Sequence, residues 1–204
     1  DVSNPATPLL LGAVDTPDSA HDVTVVGDKA YVADDAGGLQ VIDISDPTHL
    51  WITGAWVTQS LANGVAVVGD KAYIAEFGQV LQVIDVSDPA QPEDTGSVAI
   101  PGWPASVTVV GDKAYVAADV YGLQVIDVSD PTTPRIIGSV VTPGSALGIS
   151  VVGDRAYLAV GDDGFQVIDV SEASDAQIVG SVATPYVAYG VAAAGDKVYV
   201  ADGD

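Results

Sequence analysis

"VVGDKAYVADDAGGLQVIDISDP" (Val25–Pro47) decides the fold, because it recurs. Gly-Asp-Lys stands at Gly27, Gly69, Gly111 and Gly195, and Gly-Asp-Arg at Gly153, each on a 42-residue spacing. An internal period of 20–50 residues signals a solenoid, a propeller or an array. Working outward from the first copy, Val23–Val26 is a short β run. Gly27-Asp28 is a two-residue hairpin turn, since both residues tolerate positive φ. Ala30–Ala33 is a second strand, Asp34–Gly38 a loop and Leu39–Ile44 a third strand. Ser45-Asp46-Pro47 turns the chain into a fourth strand over 51–57. No segment carries helical periodicity. Four short antiparallel strands per 42 residues is the length of a propeller blade. The sequence therefore predicts an all-β, five-bladed β-propeller of four-stranded repeats in a single domain, 1–204. Blade repeats fall at about 23–64, 65–106, 107–148 and 149–190, with a split blade of 191–204 plus 1–22. A parallel β-helix fits less well, because its coils are shorter and tight hairpins do not join parallel strands.

"GLQVIDVSDPTTPRIIGSV" (Gly122–Val140) resembles the LVIVD repeat of bacterial and archaeal surface proteins, and Leu81–Pro89 and Phe165–Ser171 repeat it. The resemblance covers essentially the whole chain. It implies a β-propeller that is secreted or displayed at the cell surface, with no catalytic residues, because the motif consists of strand and turn positions. Blade four departs from the motif at Glu172-Ala173, where Asp-Pro is expected, and a looser turn is expected there.

The net charge is −22, from 6 basic and 28 acidic residues. Lys29, Lys71, Lys113, Arg155 and Lys197 share one register, and only Arg135 lies elsewhere. No basic patch can form outside that register, which argues against nucleic acid as a partner. Such a charge favours solubility, and a high-salt habitat is another way to read it. The absence of cysteine excludes disulfides and thiolate chemistry. No apolar run reaches the eighteen or so residues of a membrane span, and no secretory signal pattern is present. The lack of methionine suggests a processed form or a slice of a longer chain.

Asp1–Pro5 aligns with Asp127–Pro131, so residues 1–22 are expected to supply the end of a third strand and all of a fourth. Val191–Asp204 supplies a first and a second, and together they would close the ring as one blade. Five units of 42 need 210 residues against 204, and the six wanting match Asp163–Ile168, the body of a third strand. A vacant middle strand leaves two rows of backbone groups unpaired. Three readings follow: a longer parent chain, a strand donated by another subunit to give a homopolymer, or a tolerated defect.

Loops after strands two and four open on one face and vary between copies; the turns on the other face hardly change. The variable face gathers His21, Asp34, Asp35, Glu76, Phe77, Trp103, Asp119, Tyr121, Asp162, Tyr186 and Tyr189 as candidate ligand or partner contacts. Flat rings beside acids suit sugar or protein recognition. The same residues can instead pack between blades and fill the channel mouth. Asp43, Asp85, Asp127 and Asp169 read as turn caps. Calcium, which takes six to eight oxygens, would call on Asp34-Asp35 or Asp162-Asp163, yet no full calcium-loop spacing exists; no metal site or other cofactor is assigned. His21 and His49 lie at different registers, hence on opposite faces. A glycosidase reading would draw on Asp22, Asp34, Glu76, Asp119 and Asp202, but acids so abundant discriminate nothing. Trp51 and Trp56, on an outermost strand, are a packing cover or a docking surface.

The reading that follows is a non-catalytic extracellular or cell-surface module, structural or adhesive, with a protein partner or itself as partner. A carbohydrate-binding propeller is the alternative, and a propeller glycosidase stands behind both.

Overall fold

A computed structural model describes residues 1–203. Gly27 takes φ +61° at the first position of its turn, a value open to glycine without steric cost. That turn joins β1 (Asp22–Val26) to β2 (Lys29–Ala33), and β3 (Leu39–Asp43) and β4 (Trp51–Trp56) complete an antiparallel sheet in the order β1-β2-β3-β4. The pattern repeats in β5 (Ala62–Val68), β6 (Lys71–Glu76), β7 (Val80–Asp85) and β8 (Glu93–Ala99). It repeats again in β9 (Ser106–Val110), β10 (Lys113–Ala117), β11 (Leu123–Asp127) and β12 (Arg135–Val140). A fourth blade holds β13 (Gly148–Val152), β14 (Arg155–Ala159), β15 (Phe165–Asp169) and β16 (Gln177–Val182). β17 (Val187–Ala194) and β18 (Lys197–Gly203) form a two-stranded sheet. Among the described residues no helix is long and apolar enough to cross a membrane.

The strands are apolar for a reason set by the stacking. A middle strand is covered on both faces, so Ala30, Tyr31, Val32 and Ala33 are all buried, Tyr31 and Ala33 against the second blade and Ala30 and Val32 beneath Val14, Leu50 and Ile52. Tyr31, Ala33, Leu39 and Val41 of the first blade pack on Val65, Ala72, Ile74 and Ile84 of the second. Leu39, Leu81 and Leu123 are each 0% exposed, and burial of this kind contributes on the order of 2 kcal/mol per side chain. The blades also touch at their outer ends. A methyl group on Gly54 would lie 2.2 Å from the Pro89 carbonyl oxygen, so a bare backbone lets the turn of the next blade rest on β4.

The Asp-x-Ser turns are held by their own side chains. Asp43 accepts from the Ser45 amide at 2.9 Å and from its hydroxyl, and from Lys29 at 3.0 Å; the Ser45 bonds bring its pKa down to about 2. Asp85 and Asp127 behave alike. The fourth-blade turn departs from its counterparts where the sequence does, at Glu172-Ala173. It becomes a single 3-10 turn, Ala173–Asp175, and keeps the backbone bond of its counterparts, Asp175 N to Glu172 O at 3.0 Å. What it loses is the side-chain cap, which a glutamate does not make there.

The expected closure by N- and C-terminal strands is corrected. Residues 1–21 contain no strand, and β17–β18 are not joined to them in one sheet. Residues 9–14 do hold the place of a fourth strand beside the first blade. Gly12 lies against the Pro47 carbonyl as Gly54 lies against Pro89, and Val14 packs beside Ala30, Val32 and Ile42. Without a third strand between them, that segment and β18 have no shared ladder. The sheet faces flanking this seam are uncovered: Val23 is 57% exposed where Val65 is 3%, and Tyr199 is 60% exposed where Tyr31 is 5%.

Candidate functional site

The first strands β1, β5, β9, β13 and β17 surround a cavity of about 490 Å³, with His21, Asn63, Leu147 and Tyr189 among its lining. Neighbouring first strands are riveted through this wall. Asp22 accepts the Val65 amide at 3.0 Å, Ser150 accepts the Ala193 amide at 3.1 Å, and the Asn63 side chain donates to the Pro104 carbonyl at 3.2 Å.

On the variable face, three seams are locked by a backbone bridge between one blade's loop and the start of the next. Asp35 pairs with Ala62, Asp119 with Ala146 and Gly161 with Ala188. The register assigns the remaining complete seam, between the second and third blades, to Phe77 and Pro104. Proline has no N–H to donate, so the reciprocal pair cannot form. The loop changes conformation accordingly. Positive φ falls on Gln79 (65°) rather than on Phe77, whereas the matching Asp35 and Asp119 carry it themselves (45° and 48°). The loop's usual anchor moves as well. Gln40 and Gln124 donate to the loop carbonyls of Gly37 (2.7 Å) and Tyr121 (3.0 Å), but Gln82 donates to Asp94 and to Gly96 O.

An aromatic ledge takes the place of the bridge. The Phe77 and Trp103 rings stack with centroids 5.1 Å apart at 17°, and both remain 42% and 50% exposed. Gly102, at φ +84°, sits under Tyr121, whose ring atom would be 2.7 Å from a methyl group there. Pro101 and Pro104 stiffen the segment that carries Trp103. Phe77, Trp103 and Tyr121 thus form an exposed patch on a rigid base, a geometry suited to a flat apolar or sugar surface.

The other candidates are placed apart from this ledge. Asp34 is 0% exposed and accepts from the Thr16 hydroxyl (2.5 Å) and the Asp18 amide (3.0 Å). Glu76, at the same register, is 2% exposed and accepts the Ser60 amide at 3.2 Å. Burial pushes its carboxyl up to about 7, against the pull of the Ser60 and Gln59 amides. Asp202 accepts the Tyr186 amide at 3.1 Å. These carboxylates clasp the loop after the fourth strand. The recurring threonine does the same, through Thr58 to Ser60 O (2.6 Å) and Thr142 to Gly144 O (2.8 Å). Asp35 faces His21 across 3.8 Å, Asp119 carries the Ala146 bridge, and Asp162 is exposed on the fourth blade. Tyr186 and Tyr189 project from the half blade, 57% and 59% exposed. His49 pairs with Asp46 on the opposite face. Among the described residues no three His, Asp or Glu side chains gather in a metal-holding group. Trp51 is 48% exposed on the outer strand, while Trp56 packs into the core.

Sequence reasoning named Phe77 and Trp103 without pairing them, and it did not reach the part played by Pro104. The signal was there: a proline at the one loop position that reads alanine at 62, 146 and 188.

A family model for the LVIVD repeat matches residues 1–16, 17–58, 61–99, 101–142 and 143–184. No curated protein sequence matches the chain. Among solved structures, a functionally unknown protein from Desulfotomaculum acetoxidans is similar over 93% of this chain and 64% of its own, at 13% identity and TM-score 0.79. The β-propeller domain of Cps50 (Swd1) from Myceliophteria thermophila is similar over 91% and 62%, at 12% identity and TM-score 0.69. The computationally designed Ika8 protein is similar over 88% and 54%, at 9% identity and TM-score 0.72. The chain thus spans between half and two thirds of the length of these structures, and at such identities the likeness shows the fold alone.

Proposed function

From the premise that this chain belongs to the LVIVD-repeat family, we propose that it is a non-catalytic structural or adhesive propeller module working outside the cell or at its surface. The observation that carries the reading is the Phe77–Trp103 stack. At three seams the backbone locks one blade to the next; at this one the seam is covered by two large rings left in water. Exposed aromatic area on a rigid base is what a recognition surface needs, because little side-chain freedom is lost on contact. The six Lys and Arg all lie away from this face, so it carries no lysine or arginine beside its carboxylates and rings. Asp34, Glu76 and Asp202, on which a glycosidase would draw, are engaged with loop amides, which supports a binding role over hydrolysis.

A lectin-like role is the second reading. The Phe77–Trp103 ledge favours it, since sugar C–H faces stack on flat exposed rings. The test is binding of the chain to glycan arrays and to whole cells, with Trp103→Ala alongside. Loss of roughly tenfold or more in affinity on Trp103→Ala is the expected result. Unchanged binding would remove the ledge from the function, and turnover of a polysaccharide by the purified chain would overturn the non-catalytic reading. Surface labelling of intact cells tests the location.

A further inference from the structure

We infer that the Phe77–Trp103 ledge docks a basic polypeptide segment, whose arginine side chains stack on the rings and pair with the carboxylates that flank them. The inference rests on the adhesive reading above and names the chemistry of the partner.

Three observations, all within blades one to three, define the partner. The first is the order of side chains along the face. Asp35, Phe77, Asp119 and Gly161 stand at one register of the repeat, 42 residues apart. A ring therefore replaces an acid in the second blade, between two blades that keep the acid. Asp35 bridges to Ala62, and the Phe77 amide donates to the Leu61 carbonyl at 2.9 Å, so Leu61 stands between the first acid and the first ring. Phe77 stacks on Trp103, and Tyr121 leans over Gly102 from the loop that carries Asp119. From the first blade to the third the face thus runs acid, leucine, three rings, acid. Leu61, Phe77, Trp103 and Tyr121 are 40%, 42%, 50% and 48% exposed.

The second observation is charge. On the opposite face the strand-end acids have their cations: Lys29 on Asp43 at 3.0 Å, Lys71 on Asp85 at 3.1 Å, Arg135 on Asp127 and Arg155 on Asp169 at 2.8 Å. Among the described residues neither Asp35 nor Asp119 has a lysine or arginine partner. Asp35 faces only the His21 ring, across 3.8 Å, and its Oδ1 is buried without a hydrogen-bond partner. A guanidinium answers both halves of this surface. Its plane stacks on an aromatic face, and its N–H fork takes a carboxylate.

The third observation is span and rigidity. The two acids sit in the loops of the first and third blades, with two seams between them. One small cation does not reach both, whereas a chain with cations spaced along it does, and the rings between cover the apolar stems of its side chains. Both acids are held in advance. Asp35 and Asp119 keep φ at 45° and 48°, and each exchanges a backbone pair with the next blade. A neutral sugar would use the rings and leave this paired charge unmatched. Preorganised acids beside preorganised rings lower the ordering cost of docking a basic chain.

The probe is a short fluorescent peptide of alternating arginine and serine, titrated with the full chain by anisotropy at physiological salt. Its counterpart carries citrulline, which keeps the shape of arginine and loses the charge. Saturable binding of the arginine peptide is expected, with the citrulline peptide roughly tenfold weaker. Trp103→Ala, which leaves the charge of the chain unchanged, should weaken the arginine peptide roughly fivefold. Asp35→Asn with Asp119→Asn should weaken it roughly threefold, since asparagine also accepts a positive φ. Asp112→Asn with Asp154→Asn removes the same charge from hairpin tips on the other face and should change nothing. Equal losses from the two pairs, or binding that Trp103→Ala leaves intact, would reduce the attraction to general acidity and overturn the inference. Equal binding of the citrulline peptide, or no saturable binding up to about 1 mM, overturns it as well. Loss of cell binding on Trp103→Ala without any peptide binding would leave the adhesive ledge standing and remove only its basic partner, so the two failures are separable.

Discussion

Glu76 offers a measurement whose sign is fixed by the burial of its carboxyl. Its carboxyl is 2% exposed, and burial lifts it from an ordinary 4.5 to about 7. A buried carboxyl with a raised pKa favours the folded state in its protonated form. Its stabilising contribution is complete below pH 4.5 and is lost as pH climbs through about 7. A move of that size is worth on the order of 3 kcal/mol. Glu76→Gln keeps the shape and an oxygen for the Ser60 amide but cannot ionise. Urea unfolding of both proteins from pH 4 to pH 9 isolates the effect, since the other carboxylates titrate alike in each. The expected result is a wild type that falls steadily behind Glu76→Gln between pH 4.5 and pH 7.5 and then runs parallel to it. A difference that stays flat with pH would refute the assignment of Glu76 as a buried, uncharged clasp.

Two further predictions come from the turns. Gly122 sits at φ +66° with the Val140 carbonyl oxygen 2.2 Å from a would-be methyl group, while Gly27 at φ +61° would meet nothing within 4 Å. Gly27→Ala is expected to cost about 1 kcal/mol, the backbone penalty alone, and Gly122→Ala at least about twice that, with thermal unfolding as the check. Asp43, Asp85 and Asp127 have pKa values brought down to about 2, so the stability they lend is present above pH 4 and drains as pH falls towards 2. Asp127→Asn should blunt that acid limb, read by circular dichroism against pH.

The blades were legible because every local signal agreed. Gly27-Asp28 fixed a hairpin, the apolar runs on either side fixed its arms, and the 42-residue period copied the answer along the chain. Strand limits read as 30–33 and 39–44 stand in the structure as Lys29–Ala33 and Leu39–Asp43. The fate of residues 1–21 was not legible, because a strand needs a neighbour as well as a sequence, and no local pattern reports whether the neighbour is there. The clasps were missed for a related reason. Asp34 and Glu76 look like any loop acid in an acidic chain, and only the approach of the Asp18 and Ser60 amides from sixteen residues away marks them as structural. The Phe77–Trp103 pair needed the ring geometry too, although Pro104 alone foretold that its seam would differ.

The glycines of the Gly-Asp hairpins face open space: a methyl group at Gly27, Gly69, Gly111, Gly153 or Gly195 would meet nothing within 4 Å, while the aspartate carbonyls beside four of them hold the Ile44, Val86, Val128 and Val170 amides of their own blades. Added chain at such a tip costs only loop-closure entropy, about 0.6 kcal/mol per doubling of length. Each tip is joined to the next by a rigid blade, so cargo spliced into them would be carried at fixed spacing on one side of the disc. The opposite side would stay free to engage a surface, and the fold is thereby a ready five-point display platform whose payload and grip do not compete.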